Sequence, residues 1–191
     1  LYLVRPEFRG RGHGLATWKA ALPRAGDRTI GLDGVVDQQD NYRKSGFTLA
    51  HRPVRHAGTL TPDGSGSAAV PLAAAADADV TDYDALCFPA PRPVFLREWF
   101  AAAGHVGRAL IVDGRLVGYG VIRPARDGHR VGPLFADSRV YAEVILDSLV
   151  AGTGAGQPVQ VAVDVPETNA EALAMAGDLG LEPAFETARM Y

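Results

Sequence analysis

Cysteine is almost missing from this chain. Cys87 is the only one in 191 residues, so no intrachain disulfide can form, and a reducing, cytoplasmic setting fits. Lysine is nearly as scarce: Lys19 and Lys44 are the only two among 19 basic residues. That arginine bias, with much alanine, points to a GC-rich genome rather than to a function. The formal net charge of −3 lacks the basic excess of a duplex-binding domain, so no nucleic-acid partner is expected. No segment reaches the ~18 uninterrupted apolar residues of a membrane span, so no membrane partner is expected. No leader pattern is visible. No His, Cys and Asp residues stand at metal-ligand spacing. What remains is ordinary: 47% hydrophobic and 21% charged residues, enough chain for one large domain or two small ones.

The informative stretch lies near the start. Leu1-Tyr2-Leu3-Val4 reads as a strand that Pro6 stops. From Leu15 the apolar residues fall at helical spacing, Leu15, Trp18 and Leu22, with Pro23 closing the segment. Between them runs Arg5-Pro6-Glu7-Phe8-Arg9-Gly10-Arg11-Gly12-His13-Gly14. A glycine-rich turn thus delivers the start of a helix, whose unpaired N–H groups and dipole attract anions. Gly10, Gly12 and Gly14 would let a phosphate approach the backbone, and Arg9 and Arg11 add charge. The spacing is G-x-G-x-G, which is not the G-x-G-x-x-G of a dinucleotide site, and no Lys follows as a Walker A loop requires.

Further on, a strand is expected over Thr29–Leu32, ending at Asp33-Gly34, then a helical stretch over Gln38–Lys44 and a strand over Phe47–Arg52. Residues 57–69, with Gly58, Pro62, Gly64 and Gly66, read as a linker. A second unit follows. It has a strand over Ala69–Leu72, helices over Asp77–Leu86 and Val94–Ala103, and a hairpin of Ala109–Val112 and Leu116–Ile122 about Asp113-Gly114. Next come a strand over Arg130–Phe135, a helix over Ser138–Val150, a strand over Val159–Val163, a helix over Asn169–Leu179 and a last strand over Glu182–Thr187. Both units close on a strand, an Asp and a Gly-apolar pair: Asp33 with Gly46-Phe47, then Asp164 with Gly180-Leu181.

The run V-x-P, R-x-x-G-x-G and amphipathic helix at Val4–Leu22 resembles the acetyl-coenzyme A loop of the GNAT family of N-acetyltransferases. Asn41-Tyr42-Arg43-Lys44-Ser45-Gly46-Phe47 resembles the Y-x-K-x-G-F ending of such domains. The second unit's order β-α-α-β-β-β-α-β-α-β is that of a whole GNAT domain. The resemblance implies an α/β chain with a mixed sheet, in tandem: residues 1–56 as the C-terminal half of one GNAT domain, 57–67 as linker and 68–191 as a complete domain able to fold alone. On that reading the chain begins mid-domain.

The resemblance also assigns roles. Leu3 and Val4 would pair with the pantetheine amides. Arg9, Gly10, Arg11, Gly12, His13 and Gly14 would hold the pyrophosphate. Tyr42 would give a proton to the departing thiolate, or simply pack on its short helix. The expected reaction moves acetyl from acetyl-CoA to a primary amine of a small molecule or protein by direct attack, with a homodimer among the assemblies open to the protein. A non-catalytic ligand-binding or interaction module is the alternative. Departures are visible. Val35 stands where the family has Asn. The second unit has no R-x-x-G-x-G, Asp137 or Ser138 can cap its helix, and Ala176 replaces the tyrosine although Asn169 and Ala172 fit the pattern, so it is expected to be catalytically silent. Glu7 is a weak candidate base. Cys87 is expected to be buried. Arg123, Arg126 and Arg130 form either a solvated hairpin tip or an acidic-ligand site.

Overall fold

The computed structural model describes residues 3–88, 90–154 and 157–191. Two units separate: Leu1–Ala50 with Ala188–Tyr191, and His51–Thr187.

The first unit holds α1 (His13–Ala21), β1 (Leu32–Val35) and α2 (Gln39–Arg43). Its small core is Phe47, Ala188 and Met190, with Trp18, Leu22, Ile30, Leu32, Tyr42 and Leu49 packed around them. The Trp18, Tyr42 and Phe47 rings meet with centroids 5.7–6.4 Å apart, in tilted and edge contacts that suit aromatic quadrupoles. Two features depart from sequence expectation. Leu3 and Val4 form no strand, and Leu1 and Tyr2 lie outside the described residues. A strand exists only in a ladder, and the Val4 carbonyl instead accepts from Arg9 Nε at 3.0 Å. The strand expected over Thr29–Leu32 is displaced to Leu32–Val35, so that Asp33-Gly34 lies inside it. Asp33 is held there by a bidentate pair with Arg189, 2.6 Å on both oxygens. Gly34 is required because a Cβ would come within 2.3 Å of Tyr42 Cε2.

The strand β2 (Leu49–His51) leads to the second unit, whose elements are β3 (Pro53–Leu60), β4 (Val70–Pro71), α3 (Asp77–Cys87), α4 (Pro93–Ala101), β5 (Val106–Val112), β6 (Arg115–Pro124), β7 (His129–Ala136), α5 (Arg139–Ala151), β8 (Val159–Pro166), α6 (Ala170–Asp178) and β9 (Glu182–Met190) as far as Thr187. Its strands run in the order β9-β3-β8-β7-β6-β5-β4. All these pairs are antiparallel except β7–β8. Alternation on β8 buries Val159, Val161, Val163 and Val165 against α5 and α6. On the other face, Leu72, Val80, Tyr83, Ala109, Leu116, Tyr119 and Val121 form a second cluster. The hairpin at Asp113-Gly114 has both residues at positive φ, 51° and 75°, as a two-residue turn between twisted strands demands.

The principal correction concerns the linker. Residues 57–60 belong to β3, which pairs with β8 from Pro53↔Pro166 to Leu60↔Val159 and with β9 on its other side. The Gly58 signal has another cause: a Cβ there would meet Leu181 Cδ2 at 2.9 Å and the Gly180 carbonyl at 3.0 Å. Among the described residues, no helix is long and apolar enough to cross a membrane.

Candidate functional site

Residues 5–14 of the first unit fold from local causes. Pro6 starts a single 3-10 turn, Pro6–Phe8, closed by Phe8 N–H to Arg5 O at 2.9 Å and Arg9 N–H to Pro6 O at 3.1 Å. Gly10 and Gly12 then take φ of 74° and 82°, the left-handed region that favours glycine. Gly12 is the N-cap of α1 and brings no side-chain cap, so its helix start is left for an outside acceptor. Among the described residues, none beyond the glycine and its chain neighbours comes within 4 Å of where a Cβ on Gly10 or Gly12 would stand, and the space above the loop is open.

The charges here suit an oxyanion. Arg9 and Arg11 are exposed, and among the described residues neither has a carboxylate within 4.0 Å. Arg9 commits Nε to Val4 O, which fixes the side chain along the loop. The Arg11 guanidinium stands 5.9 Å from the Phe8 ring, and that ring meets His13 edge-on at 6.2 Å. Gly14 lies in the first turn of α1. Arg9, Gly10, Arg11, Gly12, His13 and Gly14 are therefore one contiguous cradle that fits a pyrophosphate. Leu3, largely exposed at 83%, and Val4 offer no strand edge for pantetheine amides. The described residues do not fit that half of a coenzyme.

Tyr42 reaches the same helix from another direction. Its ring lies 5.8 Å from that of Trp18 on α1. Trp18 stands five residues past the helix start, about 7.5 Å at 1.5 Å per residue. The packing expected of Tyr42 is present, and α1 links it to the cradle. Glu7 lies in the 3-10 turn, exposed, and Val35 ends β1 at 44% exposure.

The second unit has the frame of such a site without the cradle. The parallel pairing of β7 with β8 covers only His129–Val131 against Val161–Val163. Beyond it, just Asp137 and Ser138 separate β7 from α5. Ser138 Oγ accepts from Tyr141 N–H at 3.3 Å, so the helix caps itself. Asp137 accepts from the Tyr83 hydroxyl at 2.7 Å and pairs with Arg115 at 3.1 Å. Asn169 likewise caps α6 through Ala172 N–H at 3.0 Å. Ala176 is fully buried, with no opening where a tyrosine would stand. A groove of about 430 Å³ runs beside α5, lined in part by Leu60, Pro62, Val140 and Val144. Its Asp147 carboxylate is already spent on the N–H groups of Asp63 and Gly66, each at 2.8 Å.

Sequence reasoning missed a buried ionic knot. Asp84, 1% exposed in its side chain, takes a bidentate fork from Arg92 at 2.8 and 2.9 Å and a short hydrogen bond from the Tyr119 hydroxyl. Burial alone would push the Asp84 carboxyl up; the bonds from Arg92 and Tyr119 outweigh it and hold the group below the usual carboxylate range. The same burial, with the carboxylate beside it, pushes the Tyr119 phenol up. No sequence signal joins residues 35 apart, and the knot is structural. Cys87, expected to be buried, is exposed. Partial desolvation, then Asp84 and Asp137, raise its thiol pKa, the reverse of an activated nucleophile. No group of three or more His, Cys, Asp or Glu able to hold a metal occurs among the described residues.

Known proteins resemble this chain along its length. Residues 80–191 match the acetyltransferase (GNAT) domain family. The whole chain is 30% identical, over 191 residues, to holothin acyltransferase of Pseudoalteromonas sp. (strain SANK 73390), of which it spans 64%. A structure of a candidate acetyltransferase from Pyrococcus horikoshii superposes with TM-score 0.76 at 23% identity, over 98% of this chain and 62% of that one. A tandem GNAT protein from the clavulanic acid biosynthesis pathway gives 0.62 at 17% identity, over 98% of this chain and 72% of that one. The chain thus spans less than two thirds of that curated relative and of the Pyrococcus structure. With the matching family domain covering more than half of its length, the chain belongs to the GNAT family of acyltransferases.

Proposed function

We propose that this chain is the C-terminal part of a tandem GNAT enzyme that moves acetyl from acetyl-CoA to a primary amine, with the first unit as its coenzyme site. The uncapped start of α1, behind two left-handed glycines and two arginines without carboxylate partners, carries this reading. Arg9 to Gly14 would hold the pyrophosphate. When bound, the coenzyme supplies an activated acetyl group. Tyr42 Oη would hold the proton destined for the thiol sulfur, and the acceptor amine loses its proton to a base outside the residues named here. The cradle and the relative named for acyl transfer support an acyl-CoA donor; the choice of acetyl rests on the loop's resemblance.

The second unit, with its self-capped α5, serves as a non-catalytic recognition or interaction module. The single cysteine fits a cytoplasmic protein, its acceptor would be a small-molecule or protein amine, and a homodimer is a further proposal. Steady-state acetyl transfer by the longer protein tests the chemistry. Tyr42→Phe should lower kcat by ~10²-fold and leave acetyl-CoA affinity nearly unchanged. Normal turnover would reduce Tyr42 to a packing residue.

A further inference from the structure

The second unit carries an uncompensated patch of positive charge on one sheet face. Asp164, Ala162 and Gln160 point away from the valines that β8 buries, and they remain exposed or half-buried. Arg55 is the β3 partner of Asp164, Arg130 the β7 partner of Ala162, and Arg123 the β6 partner of Arg130. Directly opposed residues share a face, so three arginines and one aspartate lie in a row across four strands. The trio visible in the sequence is thereby revised: Arg126, exposed at the turn, gives way to Arg55.

Asp164 cannot neutralise this row. Arg55 takes both its oxygens, at 2.7 and 3.1 Å, and Arg130 reaches it only at 4.0 Å. Among the described residues no other carboxylate comes within 4.0 Å of the three guanidinium groups. Arg123 and Arg130 stand directly opposite each other, an arrangement of like charges that destabilises a sheet. Partial desolvation, then Arg55 and Arg123, pull the Arg130 pKa below its ordinary value, and Asp164 only partly offsets this. The row is also held at both ends. The Arg55 guanidinium lies 5.3 Å from the Phe185 ring, and Arg123 lies 5.4 Å from Trp99. Trp99 is itself anchored by Nε1–H to Gly132 O at 3.2 Å and by a stacked Phe95. Charges positioned in this way, at a cost in self-repulsion, gain most from a shared counter-anion, and guanidinium forks match oxyanions in geometry.

We propose that Arg123, held against Trp99, and Arg130, beside the Arg55–Asp164 pair, form a binding site in the second unit for a small molecule bearing a carboxylate or phosphate. This site is separate from the coenzyme cradle, so each can fail without the other.

The test is calorimetric titration of the chain with citrate and, separately, with pyrophosphate. Both are done in an Arg9→Gln, Arg11→Gln background, which removes the first-unit loop as a competing anion site. Arg130→Gln and Arg123→Gln should each weaken binding by about tenfold or more, the loss expected for a charge-assisted hydrogen bond. Saturable binding of citrate alone assigns a carboxylate ligand, and of pyrophosphate alone a phosphate ligand; either supports the proposal. No saturable binding, or binding indifferent to both variants, would each overturn the proposal.

Discussion

Placing a carboxylate at position 12 isolates the chemistry of the cradle. Gly12 has φ 82°, and among the described residues none beyond its chain neighbours comes within 4 Å of a Cβ built there. A side chain therefore meets no clash, only the left-handed backbone cost of roughly 1–2 kcal/mol. Asn and Asp tolerate that region best among side chains and differ here by one charge. Gly12→Asn thus carries the strain alone, and Gly12→Asp carries the strain plus a negative charge. At about 4 Å a pair of unit charges interacts by ~1 kcal/mol in water and ~4 kcal/mol at an effective dielectric near 20. A pyrophosphate presents about two such charges to an exposed loop, so the floor is about 2 kcal/mol, roughly thirtyfold in Kd. Calorimetric titration of acetyl-CoA into the longer protein would measure both variants. Gly12→Asp should bind at least about thirtyfold more weakly than Gly12→Asn, and the gap should narrow in 1 M salt, where the Debye length falls to ~3 Å. Equal affinities for the two variants would remove the loop from coenzyme binding.

Two further outcomes test the architecture. Residues 51–187 alone should unfold cooperatively, whereas 68–191, which loses β3 and bares β8 and β9, should not; a sharp transition in 68–191 would make β3 dispensable. Acetyl-CoA at 100 times its Kd would add about 2.7 kcal/mol to the species that binds it, so a rise in the 51–187 melting temperature would return coenzyme binding to the second unit. Arg92→Met should cost about 3 kcal/mol in urea unfolding at pH 7, the low end for an orphaned buried carboxylate because Arg92 is 21% exposed, and Asp84→Asn on top should recover part of it. Because the fold holds Asp84 below its ordinary value of 3.8, the stability from the knot is full above that pH and is lost as pH falls through the lowered value. An Arg92→Met penalty that persists in strong acid would refute that assignment.

What could be read from the sequence was local. The Leu15, Trp18, Leu22 spacing marks α1, Ser138 and Asn169 mark the starts of α5 and α6, and Asp113-Gly114 marks its hairpin, since each signal acts within a few residues of its effect. The glycine turn before α1 was legible for the same reason. Ladder partners were not. Leu1–Val4 has the composition of a strand, yet among the described residues Leu3 and Val4 join no ladder. Gly58 looks like loop and sits in β3 because Gly180 and Leu181 press on it. Asp33-Gly34 looks like a turn and is a strand, through Arg189 and Tyr42. The Asp84–Arg92–Tyr119 knot and the Arg55–Asp164 pair join residues far apart in the chain, which no window of sequence reveals.

The position of β3 also sets a timetable. The ribosome makes Pro53–Leu60 about 100 residues before its partner β8 and later still before β9. At 5–20 residues per second, that strand waits roughly 5–20 s with both edges open. A stretch so exposed invites pairing with other nascent chains unless its sequence discourages it. Pro53, Arg55, His56, Gly58 and Pro62 make it a poor template for any strand but its own. The residues that disguise β3 as a linker therefore also guard it until β8 and β9 are made.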